Sequence, residues 1–124
     1  MQNLNSKLKN DVKARAFAFS LNIINLCDSF PKKNTGWIIA DQLLRSSMSV
    51  GANISEARSS SSRLEFKRYF EIALKSCNES KYWLSLVKMS KTSVDKDLSP
   101  LIKEATEISN MLGKSIMTLK SKLS

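Results

Sequence analysis

The chain has 124 residues, 42% of them hydrophobic, which suits a single domain with its own apolar core. Three glycines and two prolines are too few for a turn-rich β-sandwich and favour long helices. The sequence has no histidine, which removes the usual general base, the serine and cysteine triads and the histidine ligands of metal sites. We therefore expect no catalytic residue, no metal and no cofactor.

Lysine and arginine outnumber the acidic residues by 20 to 11, so the formal net charge is +9. This charge favours anionic partners, namely nucleic acid, an acidic protein face or a membrane surface, although it also serves solubility alone. No apolar run approaches the roughly 18 residues of a membrane span, and charges between Lys7 and Arg15 interrupt any signal-peptide core. Cys27 and Cys77 lie on apolar stripes, which favours free thiols. We expect a cytoplasmic protein with no membrane partner.

The first predicted helix covers about residues 7–30 and ends before Pro31, because the residue that precedes a proline avoids helical angles. Its apolar stripe follows steps of three and four residues and consists of Leu8, Val12, Ala16, Phe19, Ile23, Leu26 and Phe30. Phe17, Leu21 and Ile24 are expected to widen this stripe into an apolar face.

The second predicted helix covers about residues 37–58. One of its faces is formed by Ala40, Leu43, Ser47, Val50, Ile54 and Ala57. Gly51 costs this helix about 1 kcal/mol relative to alanine. A residue so small is expected to let another helix approach closely.

The third and fourth predicted helices each begin at a capping signal. Ser62 and Glu65 have the spacing of a capping box, so the third helix is predicted over residues 63–91. Ser99 is the predicted N-cap of a fourth helix over residues 100–122. The third helix carries the stripe Phe66, Phe70, Ala73, Cys77, Leu84 and Val87. The fourth carries Leu101, Ala105, Ile108, Leu112, Ile116, Leu119 and Leu123.

Four long helices with short connections predict an all-α fold, an antiparallel up-down-up-down four-helix bundle that forms one domain over residues 1–124. Glu104 and Glu107 are three residues apart on the fourth helix and share a face. Such a pair could bind a metal or act in acid–base chemistry. We favour the alternative, an exposed acidic edge.

Positive charge is concentrated in the third predicted helix, where residues 63–91 carry four more basic than acidic side chains. Arg58 and Arg63 also bracket a run of serines. Cations and hydroxyls together contact phosphate groups, which positions a nucleic acid without reading its sequence. The candidate nucleic-acid-binding residues are Arg58, Arg63, Lys67, Arg68 and Lys75. The alternative is a solvated helix face.

The third helix also carries a second ordered stripe, about a quarter-turn from the first, made of Tyr69, Ile72, Ser76, Glu79 and Trp83. A polar stripe of the second helix includes Arg45. A helix with two ordered faces suits a subunit that buries one inside and one against a neighbour, and tryptophan, tyrosine and arginine are enriched at interfaces. The predicted oligomer interface places the following residues between subunits, with Arg45 of one subunit pairing with Glu79 of another: Arg45, Tyr69, Ile72, Glu79 and Trp83. The alternative is a wide core stripe beside an ordinary surface.

These two helices resemble those of a known family. The similar segments are Gln42-Leu43-Leu44-Arg45, Ser49 and Asn53-Ile54-Ser55-Glu56 in the second helix, and Glu65-Phe66, Tyr69-Phe70, Ile72-Ala73-Leu74, Ser76 and Glu79 in the third. The chain resembles, over roughly residues 15–115, the bacterial four-helix bundle proteins named for reading frames in 23S rRNA intervening sequences. Ala57 stands where that family usually has glycine, and Lys75 where a small residue usually precedes Ser76.

The resemblance implies a homopentameric barrel of bundles. The family is similar in fold to the accessory protein of diversity-generating retroelements, and that relative implies binding to nucleic acid and to a reverse transcriptase. The resemblance implies no defined activity for the intervening-sequence branch. We predict a non-enzymatic, basic, oligomeric module that binds RNA or DNA through phosphate contacts. The alternative is a structural or protein-interaction adaptor with no role in nucleic-acid binding.

Overall fold

Residues 11–32, 35–90 and 96–123 are described by a computed structural model, and they fold into four α-helices with no strand among them. The helices are α1 (Val12–Cys27), α2 (Thr35–Arg58), α3 (Arg63–Met89) and α4 (Ser99–Leu123). This confirms the predicted all-α class. Within the described residues, no helix is both long enough and apolar enough to cross a membrane.

The first helix is shorter than predicted at its C-terminal end. Asp11 begins α1, since its carboxylate accepts a hydrogen bond from the backbone N–H of Lys13 at 3.0 Å. The helix ends at Cys27 rather than at residue 30, because the chain tightens there into a turn in which the N–H of Phe30 reaches the carbonyl of Cys27 at 3.1 Å. Residues 7–10 of the prediction lie outside the described residues.

The other helix starts depend on local capping contacts. Ser62 caps α3 as predicted, with its hydroxyl accepting from the N–H of Glu65 at 3.1 Å. Ser99 is not the N-cap of α4: it is the first helical residue, and its N–H donates to the Asp97 carboxylate at 3.0 Å. That hydrogen bond lowers the pKa of Asp97. The second helix starts at Thr35, two residues before the predicted start. The predicted end of the third helix at residue 91 is outside the described part of the chain.

Contacts between helices show the antiparallel order. Each helix packs against its neighbours in sequence, and α1 also packs against α4. Between α2 and α3, residue numbers fall on one helix as they rise on the other, with Ser46 bonded to Ser80 and Ser49 to Ser76. The same relation holds between α1 and α2 (Ser20 with Ser47, Cys27 with Ala40) and between α3 and α4 (Cys77 with Ala105, Lys88 with Ser99). The topology is therefore up-down-up-down, as predicted.

The core contains most of the predicted stripes. The following predicted positions are buried: Val12, Ala16, Phe19, Ile23, Leu26, Phe30, Ala40, Leu43, Ser47, Val50, Ile54, Ala57, Phe70, Ala73, Cys77, Leu84, Val87, Ala105, Ile108, Leu112 and Ile116. The expected widening of the first stripe is wrong, because Phe17, Leu21 and Ile24 are 67%, 47% and 37% exposed. They lie on the side of α1 that the other three helices leave uncovered.

Arg15 of α1 forms ion pairs with two acidic residues of α4 at the edge of the core. Its guanidinium binds both Glu104 and Glu107, and the Nε–H donates to Glu104 at 2.9 Å. The hydrogen bonds that Arg15 donates to Glu104 are the main reason that the pKa of Arg15 is raised above its ordinary value, so the side chain stays charged. The two acids therefore do not form a free acidic edge. They are the partners of a nearly covered arginine.

Candidate nucleic-acid interface

The five cations predicted to bind nucleic acid fall into two groups. Successive helical residues turn by about 100°, which places Arg68 and Lys75 together on the outer side of α3, where both are exposed. The same spacing places Arg63 and Lys67 on the side of α3 that faces α4. Arg58 ends α2 near the start of α3. The structure therefore gives one outward pair of cations and one group at an end of the bundle.

Ion pairs engage some of these cations. Lys67 is largely covered, and its ammonium donates to Glu71 at 3.1 Å, one helical turn away. Arg58 lies 3.6 Å from the Asp11 carboxylate, a distance beyond that of a good hydrogen bond, and both side chains are about half exposed. Exposed pairs of this kind contribute little free energy. Arg68 and Lys75 have no ion pair within the described residues.

An open cleft of about 630 Å³ lies at the same end of the bundle, and all four helices contribute to it. We call it the end cleft, and its principal residues are Asp11, Arg58, Phe66, Phe70, Met111 and Lys114. The rings of Phe66 and Phe70 are in contact, with centroids 4.6 Å apart and planes tilted by 32°. Phe66 is only partly buried, so the end cleft has an aromatic wall beneath a charged rim.

Sequence reasoning missed Lys114. The sequence alone does not distinguish Lys114 from the other lysines of α4, which include Lys103, Lys120 and Lys122. Only the antiparallel register of α3 and α4 brings Lys114 to the end cleft, opposite the first turns of α3.

The second stripe of α3 packs against α2 of the same chain. Arg45 forms an ion pair with Glu79 of the same chain. The Trp83 indole N–H donates to the same carboxylate at 3.1 Å. The Ser49 and Ser76 hydroxyls are 2.8 Å apart beside them. Within one chain the stripe therefore packs against α2, and the predicted contact between subunits stays a prediction.

Two other predicted interface residues differ in exposure. Tyr69 is half-buried against the core, whereas Ile72 is 47% exposed. The outer side of α3 carries further exposed apolar side chains, and we define the α3 outer face as Ile72, Tyr82, Leu86 and Met89. Arg68 and Lys75 lie on the same side of the helix.

A second apolar surface lies between α1 and α2, and we define the α1–α2 face as Phe17, Leu21, Ile24, Trp37 and Met48. Hollows of about 540 Å³ and 250 Å³ follow the junction of the two helices there. Asp28 and Asp41 lie at the rim of the smaller one. The three apolar α1 residues were visible in the sequence, but their spacing alone does not show what covers them.

Comparison with known proteins gives a family and a structural neighbour. Residues 8–114 match the model of a family described as 23S rRNA-intervening sequence protein. The chain is also similar to a crystal structure of a protein with unknown function from the S23 ribosomal protein family of Bacteroides thetaiotaomicron VPI-5482. The TM-score is 0.79 at 33% sequence identity, covering 86% of this chain and 98% of that one. No curated protein matches this chain. The similarity to the retroelement accessory protein stays a prediction.

Proposed function

Because this chain belongs to the 23S rRNA-intervening sequence protein family, we propose that it is a non-enzymatic, oligomeric module that binds nucleic acid through phosphate contacts. One observation carries the proposal: the first half of α3 and the adjoining end of α2 present exposed cations, in a chain of net charge +9. When exposed guanidinium and ammonium groups bind phosphates, they displace the cations that surround the nucleic acid. The release of these cations favours binding to a strand of any sequence.

The proposed contacts are those predicted from the sequence, with different weights. Arg68, Lys75 and Arg63 are exposed, so phosphates reach them directly. Arg58 is available after its long contact with Asp11 opens. Lys67 is covered and already bound to Glu71, so its contribution is expected to be smaller.

The salt dependence of binding tests this proposal. About four or five phosphate contacts predict that affinity for a labelled RNA falls about 10²- to 10³-fold between 50 and 200 mM salt. Fluorescence anisotropy measures the dissociation constant at each salt concentration. The double variant Arg68→Glu/Lys75→Glu should lose most of the binding. Lys103→Glu/Lys120→Glu makes the same change of charge on α4 and is the matched control. Affinity that is independent of salt would contradict the proposal.

We also propose that the module closes into a ring, which by the family resemblance is a homopentamer. The α1–α2 face and the α3 outer face together expose nine large apolar side chains, and exposed apolar patches of this kind mark sites of association. The two faces differ from one another, so a contact between them is head-to-tail and can close into a ring. Asp28 and Asp41 beside one face complement Arg68 and Lys75 beside the other.

The same apolar surfaces favour a second candidate function, a structural or protein-interaction adaptor. In that case Trp37 and Phe17 would contact a different protein, and the charge would serve that partner. A reverse transcriptase is one such partner by family resemblance alone, and it stays a prediction. The charge-reversed double variant separates the two functions, because a nucleic-acid-binding module would lose its RNA complex, whereas an adaptor would lose a protein complex and bind no RNA before or after the change.

A further inference from the structure

The end cleft is open to solvent, and its lining combines apolar and cationic side chains. Its volume of about 630 Å³ falls within the range of small-molecule pockets, roughly 300–1,000 Å³. Phe66, Phe70 and Met111 give it apolar walls, and Arg58 and Lys114 place cations at its edge. A ligand that matches this arrangement has a flat apolar body attached to an anionic group.

Both cations are available to an anion. Lys114 is exposed and has no ion pair within the described residues. Among the residues that the structure describes, Arg58 has one ion-pair contact, to Asp11 at 3.6 Å. If a phosphate displaced that contact, Asp11 would keep its role at the start of α1, because its Oδ1 accepts from the N–H of Lys13 at 3.0 Å. Opening the pair therefore leaves no side chain without a partner.

The aromatic wall accounts for the flat part of the ligand. Phe66 packs at a tilt of 32° against the buried Phe70, and Phe66 itself is only partly buried. Nucleobases stack on aromatic side chains regardless of sequence. A base inside a duplex cannot reach such a wall, whereas an unpaired base can.

We propose that the end cleft binds one nucleoside phosphate, with the base against Phe66 and the phosphate between Arg58 and Lys114. This inference rests on the proposed function, since it makes an unpaired nucleotide the preferred part of a bound strand. A free nucleotide has the same chemistry, and the experiment distinguishes the two sources. The negative charge of Asp11 opposes binding of the phosphate. A variant without this charge should therefore bind more tightly.

Three variants test the end cleft, each measured with a short labelled RNA single strand and with a duplex of the same sequence. Phe66→Leu should weaken single-strand binding about tenfold, because a base loses its stacking partner, and leave duplex binding unchanged. Lys114→Gln should weaken it severalfold. Asp11→Asn keeps a side chain that caps helices and should strengthen it. Lys120→Gln is the matched control for Lys114, and circular dichroism checks the fold of each variant.

The outcomes separate the end cleft from the wider function. If all three variants bind the single strand as the unchanged protein does, while binding remains salt-dependent, the end cleft is overturned and the proposed function stands. If adenosine monophosphate binds and the variants alter its affinity, but no strand binds, the end cleft is supported for a free nucleotide and the proposed function fails. If Phe66→Leu does not fold, opposite effects of Lys114→Gln and Asp11→Asn still support the site, and no effect of either overturns it.

Discussion

The two cysteines show how burial controls the chemistry of single residues. Burial raises the pKa of the Cys27 thiol to about 11, and the charge of Asp28 adds to the effect. The Cys27 thiol also points at the Ala40 carbonyl, at 3.6 Å. Cys77 is fully buried, which raises its pKa as well, and its thiol donates to the Ala105 carbonyl at 3.2 Å. Both groups therefore stay protonated near neutral pH.

This protonation predicts slow alkylation. At pH 8, a thiol of pKa about 11 has roughly 100-fold less thiolate than one of the ordinary value of 9.0, and thiolate is the reactive form. The Cys77→Ser variant leaves Cys27 as its single thiol, and its reaction with iodoacetamide can be followed by mass spectrometry. The rate should rise with pH up to about 11. The same variant unfolded in urea is the control, and an equal rate in the folded and unfolded states would contradict the prediction.

At the scale of the helices, periodicity predicted the buried stripe of each helix well, but it did not predict which apolar residues beside that stripe the other helices cover. Val12, Ala16 and Phe19 repeat at helical spacing and are buried, because any bundle covers one apolar stripe of each helix. Phe17 also follows a helical spacing, yet it is exposed, since the sequence does not show where the next helix lies.

The expectation for Gly51 also depended on where the next helix lies. This glycine was expected to permit a close approach, but an added Cβ there would be 3.8 Å from that of Ala16, an ordinary contact.

Gly51 is therefore a cost to α2 without a packing benefit. Gly51→Ala should stabilise the protein by up to about 1 kcal/mol, because alanine has the higher helix propensity. Thermal unfolding followed by circular dichroism should show a rise of about 3–6 °C. Gly113→Ala meets nothing within 4 Å and should stabilise similarly, whereas Gly36→Ala meets the Pro31 carbonyl at 3.0 Å and should not. A lower melting temperature for Gly51→Ala would show that α1 and α2 pack more closely than the structure indicates.

At the scale of the whole molecule, the candidate sites depend on register, which spacing within one helix does not contain. The sequence predicted that Arg45 pairs with Glu79 of another subunit, whereas the antiparallel pairing of α2 with α3 brings these two side chains together inside one chain. The same pairing of helices assembles the end cleft from Arg58 and Lys114, more than 50 residues apart. The basic character of the third helix was predictable because it needs only composition.

The arrangement of the two apolar faces predicts how the chains assemble. The family resemblance implies five subunits, so light scattering should give a mass about five times the 13.9 kDa of the chain. Leu21→Glu on the α1–α2 face and Ile72→Glu on the α3 outer face should each reduce it, because a buried carboxylate without a partner is costly. Met117 is 72% exposed on α4, so Met117→Glu is the matched control and should leave the mass unchanged.

Mixing the two damaged variants tests whether the contact is head-to-tail. Leu21→Glu chains keep an intact α3 outer face, and Ile72→Glu chains keep an intact α1–α2 face. One chain of each kind can therefore form a single good contact, and the mixture should stop at a heterodimer because the remaining faces are both damaged. If each face instead packed against its own copy, each variant alone would form homodimers through its intact face, and the mixture would form no heterodimer. A mass that neither substitution changes would place the subunit interface elsewhere on the molecule.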